Sequence, residues 1–201
     1  MHAQFPLFSS HIDVAHHYFA ALLQPHDAAI DATCGNGRDT LKLAQLLGSG
    51  TLIGLDLQSV AIERTQGLLN ANLSQEQLQR VHLYTQSHET FPLIAYELPI
   101  RLIVYNLGYL PNSDKTIKTA SLTTLKSLEV AMQLIAPGGV ISITCYPGHL
   151  EGKEEQAALL EVVKQLSPHL WNVCHHQWIH SNTAPSLLLI QRKNTTREIK
   201  I

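Results

Sequence analysis

Short runs rich in Val, Ile and Leu alternate along this chain with longer stretches of helical periodicity. Strands that are covered by helices on both faces of a parallel sheet form continuous apolar runs of this kind. The pattern therefore predicts five parallel strands, at Ala28–Cys34, Thr51–Leu57, Val81–Gln86, Ile100–Leu107 and Val140–Tyr146.

Helices are predicted between these strands and ahead of the first one. An amphipathic helix over about residues 10–24 ends near Pro25, and Pro137-Gly138-Gly139 ends the helix before the fifth strand. The other predicted helices are Arg38–Leu47, Val60–Asn72, a short turn capped by Ser74, about Ser121–Ile135 and about Lys153–Leu166.

The last third of the chain has a different pattern. Asn172–Ile179 and Ser186–Arg192 are two apolar runs with no helix between them, which predicts an antiparallel hairpin. We therefore expect one α/β domain over residues 1–201, with a seven-stranded, mostly parallel sheet that ends in this hairpin and has helices on both faces.

Composition restricts the class of protein without identifying it. A hydrophobic fraction of 45% and a charged fraction of 15% indicate a globular chain rather than a disordered one. No apolar run reaches the roughly 18 residues of a membrane span, and the N-terminal residues lack the pattern of a signal peptide, so we expect a cytoplasmic protein. The net charge of -2 does not by itself indicate nucleic-acid binding.

Cysteine and histidine spacing argues against a metal site. The three cysteines, Cys34, Cys145 and Cys174, form no CxxC pair, and none of the twelve histidines forms an HExxH motif. The adjacent pairs His16-His17 and His175-His176 have diverging side chains on helices and strands alike. We therefore expect no bound metal.

A glycine loop follows the first strand, in the sequence Asp31-Ala-Thr-Cys-Gly35-Asn-Gly37. Thr40 stands where a dinucleotide-binding motif has its third glycine, and the GKS or GKT of a phosphate-binding loop is absent. An acid four residues ahead of GxG suits S-adenosylmethionine, because Asp31 can bind its ammonium end directly or through water. The alternative is an ordinary tight turn.

Two further positions extend this candidate site. Asp56 ends the second strand, where a carboxylate accepts both ribose hydroxyls of an adenosyl group, or alternatively caps a helix. Ser87 and His88 follow the third strand at the usual adenine position, with Ser87 as a helix cap in the alternative interpretation. The candidate donor-binding residues are Asp31, Thr33, Gly35, Asn36, Gly37, Asp39, Thr40, Asp56, Gln58, Ser87 and His88.

The fourth strand ends in Asn106-Leu-Gly-Tyr109-Leu-Pro, at the edge of the sheet where α/β proteins bind ligands. This loop is similar to the Asn-Pro-Pro-Tyr loop of amino-group methyltransferases, in which an amide oxygen holds the substrate amine. Asn106 is therefore the candidate that orients an amine, or alternatively a strand cap. Tyr109 and Tyr146 are candidate stacking surfaces for an unstacked base, or alternatively aromatics at the edge of the core.

The sequence after the fifth strand offers candidates for proton transfer and for RNA contact. His149 and Glu151 are placed to accept the proton that an amine loses, and a helix cap is the equal alternative. Candidate phosphate contacts, each with a solvated surface as the alternative, are Lys115, Lys118, Lys126, Lys153, Arg192, Lys193 and Arg197.

Three blocks together resemble a bacterial family labelled rRNA methylases: residues 31–40 (DATCGNGRDT), 106–115 (NLGYLPNSDK) and 146–155 (YPGHLEGKEE). Better-defined members are similar to tRNA 5-aminomethyl-2-thiouridine methyltransferases. The resemblance implies a Rossmann-like class I methyltransferase fold, S-adenosylmethionine as donor, and the wobble uridine of a tRNA anticodon as substrate. Asn106, Tyr109 and His149 are then the candidate catalytic residues, and a homodimer is an open expectation.

Two departures from the family pattern lie near the expected substrate side. Asn112-Ser113 replaces a usual pair of glycines, and Ala184-Pro185-Ser186 stands where the family has two prolines. The alternatives are therefore an rRNA or small-amine methyltransferase, or a nucleoside-binding module without catalysis.

Overall fold

The computed structural model describes residues 10–108 and 121–194. In this part of the chain the strands are β1 (Ala28–Asp31), β2 (Thr51–Asp56), β3 (Val81–Thr85), β4 (Ile100–Asn106), β5 (Ile135–Cys145), β6 (Trp171–His176) and β7 (Ser186–Arg192). The helices are α1 (His11–Leu22), α2 (Arg38–Leu47), α3 (Ser59–Asn72), α4 (Gln75–Leu78), α5 (Ile94–Glu97), α6 (Ser121–Leu134) and α7 (Leu150–Lys164).

The strands form one seven-stranded sheet in the order β3-β2-β1-β4-β5-β7-β6. β1 to β5 pair in parallel, whereas β7 runs antiparallel to both β5 and β6. The predicted mostly parallel sheet with a terminal antiparallel hairpin is therefore confirmed.

Two apolar layers cover the sheet, one on each face. Phe19 of α1, Leu43 of α2 and Leu69 of α3 are buried against one face. Leu128 of α6 and Leu159 of α7 are buried against the other. None of the helices in the described ranges combines the length and the hydrophobicity that a membrane span needs.

The predicted element boundaries differ from the observed ones at several ends. β1 ends at Asp31 instead of Cys34 and β6 at His176 instead of Ile179, because the chain turns into a loop after each of them. β5 starts at Ile135, not at Val140, because Pro137-Gly138-Gly139 forms an irregularity inside the strand, with Gly138 at φ +78° and a register shift against β4. α7 starts at Leu150, three residues before the predicted start at Lys153, because the His149 side chain caps the helix. The one-turn helix α5 was not predicted, since four residues are too few to show a period.

The strand order reverses between β1 and β4, and their carboxyl ends open a crevice at that edge of the sheet. Ligands of open α/β sheets bind at such a switch point. The loop of the β6–β7 hairpin lies at the same edge, because Ser186 at the start of β7 pairs with Cys145 at the end of β5. The residues that follow β1, β2, β4 and β5 therefore lie at this edge of the sheet.

Gly54 in the middle of β2 allows the loop after β1 to pack closely on the sheet. A Cβ at this position would lie 2.5 Å from Cδ2 of Leu83 and 2.7 Å from Sγ of Cys34, which belongs to that loop. The Cys34 amide also donates to the Leu55 carbonyl at 2.9 Å. The small residue on β2 therefore determines how deeply the loop is seated.

We expect Gly54→Ala to lower the free energy of unfolding by about 1–3 kcal/mol, because the added methyl overpacks a buried contact. Gly67→Ala in α3 is the matched control, since a Cβ there meets nothing within 4 Å and alanine favours a helix by up to about 1 kcal/mol. Urea unfolding followed by circular dichroism measures both. Equal stability of the two variants would contradict the close packing at Gly54.

Candidate functional site

The loop after β1 has a backbone shape that requires glycine at two positions. Gly35 and Gly37 both have positive φ, at +55° and +78°. Gly37 is the N-cap residue of α2, and a Cβ on it would lie 2.9 Å from Cα of the buried Thr65. The loop therefore presents bare backbone at the start of α2, and Asn36 between the glycines is exposed.

Asp56 at the end of β2 joins this loop to the start of α3. One carboxylate oxygen accepts from the Gly35 amide at 2.9 Å, and the other accepts from the Gln58 amide at 2.9 Å. Gln58 is the N-cap residue of α3. Asp56 is half-buried, and each oxygen keeps a lone pair for another donor. The capping contact and a ligand contact are thus compatible in one carboxylate.

Asp31 and Thr40 lie beneath the loop, and both are fully buried. The Asp31 carboxyl accepts from the Thr40 hydroxyl at 2.6 Å and from the Thr33 amide at 3.1 Å. These two residues therefore support the loop from below, and the donor contact predicted for them, direct or through water for Asp31, stays a prediction.

Burial raises the pKa of Asp31 to about 7, and repulsion from Asp39 and Asp56 adds to the shift. The hydrogen bonds from Thr40 and Thr33 oppose it. Three carboxyl groups thus lie close enough to influence one another at this edge of the sheet.

Asn106 at the end of β4 is held from two directions. Its backbone amide donates to Oγ1 of Thr33 at 2.7 Å, and its side-chain Nδ2 donates to Asp39 at 3.1 Å. Because a carboxylate only accepts, Nδ2 must face Asp39, and the amide oxygen of Asn106 on the other side has no hydrogen-bond partner among residues 10–108 and 121–194. Thr33 and Asp39, predicted as donor contacts, thus hold Asn106 in the structure.

The other oxygen of Asp39 lies 2.6 Å from Nε2 of His16 on α1. Both side chains are largely shielded, at 13% exposure for Asp39 and 22% for His16. This pair attaches helix α1 to the site.

Tyr146, directly after β5, is a second partner of Asn106. The Asn106 side-chain amide donates a hydrogen bond to the Tyr146 oxygen, and Nε2 of His11 on α1 lies 3.2 Å from the same oxygen. Burial and the nearby Asp39 raise the pKa of Tyr146 to about 12, so the phenol stays protonated. Burial also lowers the pKa of His11. Tyr146 therefore belongs to a polar network and does not lie as an open stacking surface.

Ser87 and His88 follow β3 at the far side of the crevice. Ser87 accepts from the Glu89 amide at 3.2 Å, a local turn contact rather than a helix cap. The His88 ring hydrogen-bonds the Ala32 carbonyl and meets the Tyr105 ring edge-on, with centroids 5.8 Å apart. Burial lowers its pKa, and within the described ranges its buried Nε2 has no hydrogen-bond partner.

His149 caps α7, as one of the two sequence interpretations expects. Its Nδ1 accepts from the Gly152 amide at 3.1 Å. That bond requires a lone pair on Nδ1, so this atom does not also donate to Glu151, whose carboxylate lies 3.2 Å away. The capping role occupies the ring atom, and a proton-transfer role for His149 stays a prediction.

The remaining candidates fall into two groups. Tyr109, Asn112-Ser113, Lys115, Lys118 and Arg197 lie outside the described residues. Among the described cations, Lys126 pairs with Glu89 at 3.2 Å, and Lys153 is exposed in the first turn of α7. Arg192 and Lys193 donate to backbone carbonyls at the opposite edge of the sheet, and their predicted phosphate contact stays a prediction.

Sequence reasoning missed His11 and His16 as members of the site. Both belong to α1, which lies far from β4 and β5 in sequence, and no local motif marks either residue. Only the packing of α1 against α2 and β5 brings them to Asp39 and Tyr146. The place of His11 and His16 in the site follows from this helix packing, and no local sequence pattern indicates it.

The raised pKa of Asp31 predicts a pH-dependent stability. An acid whose folded pKa lies above its unfolded value of 3.8 favours the folded state fully below pH 3.8, and this contribution is lost as the pH rises to about 7. We expect Asp31→Asn to remove that part of the decline, because the amide fills the same space without ionising. Urea unfolding of both proteins between pH 4 and 8 measures the difference, and parallel curves would contradict a protonated Asp31.

Comparison with protein families gives a match to a family model described as "Putative rRNA methylase", over residues 52–192. A curated relative from Arabidopsis thaliana, named tRNA (mnm(5)s(2)U34)-methyltransferase, chloroplastic, is 36% identical over 194 residues. The alignment covers 90% of this chain and 69% of that relative.

Solved structures show the same fold at similar identity. A putative rRNA methylase from Clostridium thermocellum is 33% identical with a TM-score of 0.83, covering 91% of this chain and 97% of that one. A putative methyltransferase from Streptococcus mutans in complex with SAH is 31% identical with a TM-score of 0.77, covering 91% and 98%. Both similarities extend over nearly the whole described sheet.

Proposed function

This chain belongs to the family described as putative rRNA methylase, and from that premise we propose that it methylates the 5-aminomethyl group of 2-thiouridine at the tRNA wobble position. It is an S-adenosylmethionine-dependent methyltransferase of class I fold. A nucleoside-binding module without catalysis is therefore excluded as its class.

The residues around the crevice fit this donor. Bare backbone at Gly35 and Gly37, the lone pairs of Asp56 and the unpartnered nitrogen of His88 are suited to a nucleoside, and the cluster of carboxyl groups favours a cationic ligand. When bound, S-adenosylmethionine supplies a methyl group on a positively charged sulfur. Asp56 then accepts the ribose hydroxyls, Asn36 and Gln58 line the rim, and Ser87 and His88 lie beside the base.

One observation carries the choice of an amine as substrate: the amide oxygen of Asn106 at the carboxyl end of β4, which no other group in the described part of the chain occupies. Its orientation is fixed by the Asp39 contact at 3.1 Å, so the oxygen is a fixed acceptor for an N–H group. When one N–H of an amine donates to this oxygen, the hydrogen bond fixes the direction of the amine's lone pair. Positioning of this kind supplies much of the rate of a methyl transfer, which needs no covalent intermediate.

The tRNA substrate is supported by the named activity of the Arabidopsis thaliana relative and by the hairpin loop of this chain. Ile179 in that loop is 94% exposed, beside Trp178. The Thr183 carbonyl lies 3.4 Å from where a Cβ on Gly148 would be, so the loop lies next to the end of β5. Exposed apolar side chains at this place suit unstacked bases.

The family description supports rRNA as the second candidate substrate. A small free amine would use the same acceptor at Asn106. Cytoplasmic location, a single domain over residues 1–201 and a homodimer stay predictions.

We expect Asp56→Asn to weaken S-adenosylmethionine binding about tenfold or more, because the amide loses the charge and one acceptor of the carboxylate. Calorimetry on the purified protein measures the dissociation constant. Asp27→Asn is the matched control, since Asp27 accepts from the Gln24 amide at 2.7 Å at the opposite edge of the sheet. Unchanged affinity in Asp56→Asn would contradict the ribose contact.

The experiment that tests the substrate uses tRNA from cells that lack the corresponding gene, incubated with this protein and labelled S-adenosylmethionine. We expect label in 5-methylaminomethyl-2-thiouridine by nucleoside mass spectrometry. Asn106→Ala should lower kcat about 100-fold by misplacing the amine, whereas Asn72→Ala on the exposed face of α3 should not change it. Label in rRNA or in a free amine, and none in tRNA, would overturn the tRNA substrate.

A further inference from the structure

The polar network at Asn106 continues away from the donor-binding loops towards the protein surface. It runs from Asn106 to the Tyr146 hydroxyl and from there, across 3.2 Å, to Nε2 of His11. The His11 and Tyr146 rings also pack edge-on, at 88° with centroids 5.5 Å apart. His11 is half-buried, with part of its surface in contact with solvent.

An amine substrate creates a need for such a path. An alkyl amine is protonated near pH 7, as lysine is with a pKa of about 10.4, and its lone pair is then not available. A proton must leave before methyl transfer, and an accepting group has to lie within hydrogen-bond reach of the amine.

We propose that Tyr146 and His11 carry this proton from an amine held at Asn106 to solvent, an inference that rests on the proposed amine substrate. The ammonium N–H bond breaks and its electron pair stays on nitrogen. The proton joins the Tyr146 oxygen while the hydroxyl's own proton passes to Nε2 of His11. The resulting imidazolium then releases a proton to water, so that charge and protons balance.

The hydrogen-bond polarity of the network fits this direction. Tyr146 stays protonated, so its single proton is directed to an acceptor. Asn106 donates to the phenol oxygen, and Asp39 is occupied by Asn106 and His16, so within the described ranges His11 is the acceptor for the phenol proton. His149, the candidate from the sequence, uses its Nδ1 to cap α7. The exit path therefore runs through α1.

The groups that face His11 determine the pH at which it works. They are Asp13 on its own helix, Asp39 on α2 and Tyr146 after β5. Both carboxylates raise the pKa of His11, but burial outweighs them and lowers it below 6.5. The ring is therefore neutral and able to accept near pH 7, and loses that ability in acid.

The test compares His11→Gln, Tyr146→Phe and the exposed control His17→Gln on the same helix. Glutamine keeps an acceptor for the phenol but does not titrate. The variant therefore preserves a role of residue 11 in holding Tyr146 in place and abolishes proton transfer through the imidazole. We expect kcat at pH 7 to fall at least about tenfold in His11→Gln and Tyr146→Phe, with the deficit closing as rising pH deprotonates the amine in solvent. Melting temperature and donor affinity should match the wild type, and the acid limb of kcat in His11→Gln should follow the titration of the amine instead of that of His11.

A second readout does not depend on activity. The His11 ring titration, followed by NMR, should lie below 6.5 and should move in Tyr146→Phe. Wild-type kcat and pH profile in His11→Gln, or a deficit that is constant with pH, would overturn the relay while leaving the proposed function intact. A wild-type protein that labels no amine in the same assay would instead overturn the proposed function, and the relay with it.

Discussion

The carboxylate of Asp39 is the contact on which the arrangement of the site depends. It receives Nδ2 of Asn106 on one oxygen and faces Nε2 of His16 on the other, so a single side chain of α2 joins helix α1 to strand β4. Because a carboxylate only accepts, this contact fixes which of its two orientations the Asn106 amide adopts, and the bond to the Tyr146 oxygen agrees with it. The orientation of the Asn106 amide is thus determined by a residue on a different element, α2.

Local charge at the site differs from the charge of the whole molecule. The chain carries only -2, yet Asp31, Asp39 and Asp56 gather at one edge of the sheet and raise the pKa of Asp31 to about 7. Such a field favours a sulfonium and an ammonium group over an anion. It also opposes the binding of a phosphate group at the same edge.

The sequence was sufficient for the fold and for the shape of the loops after β1 and β2, because both are encoded locally. Apolar runs predicted every strand of the sheet, and the spacing from Asp31 to Gly37 and Asp56 located the crevice. It could not show that Asp31 is buried, since a carboxylate in a motif looks the same whether it faces a ligand or supports a loop. It also could not connect His11 to Tyr146, because that contact depends on how α1 packs across the sheet.

Because β7 lies antiparallel between β5 and β6, the β6–β7 loop differs from the connections between the parallel strands. Every parallel strand returns through a long crossover, whereas the β6–β7 hairpin turns back at the crevice and buries little of its own tip, with Ile179 94% exposed. Insertions or deletions in this tip leave the strand pairing and both apolar layers untouched. A scaffold of this kind can acquire a new substrate in evolution by altering a single loop, while the donor-binding half of the crevice stays under separate selection.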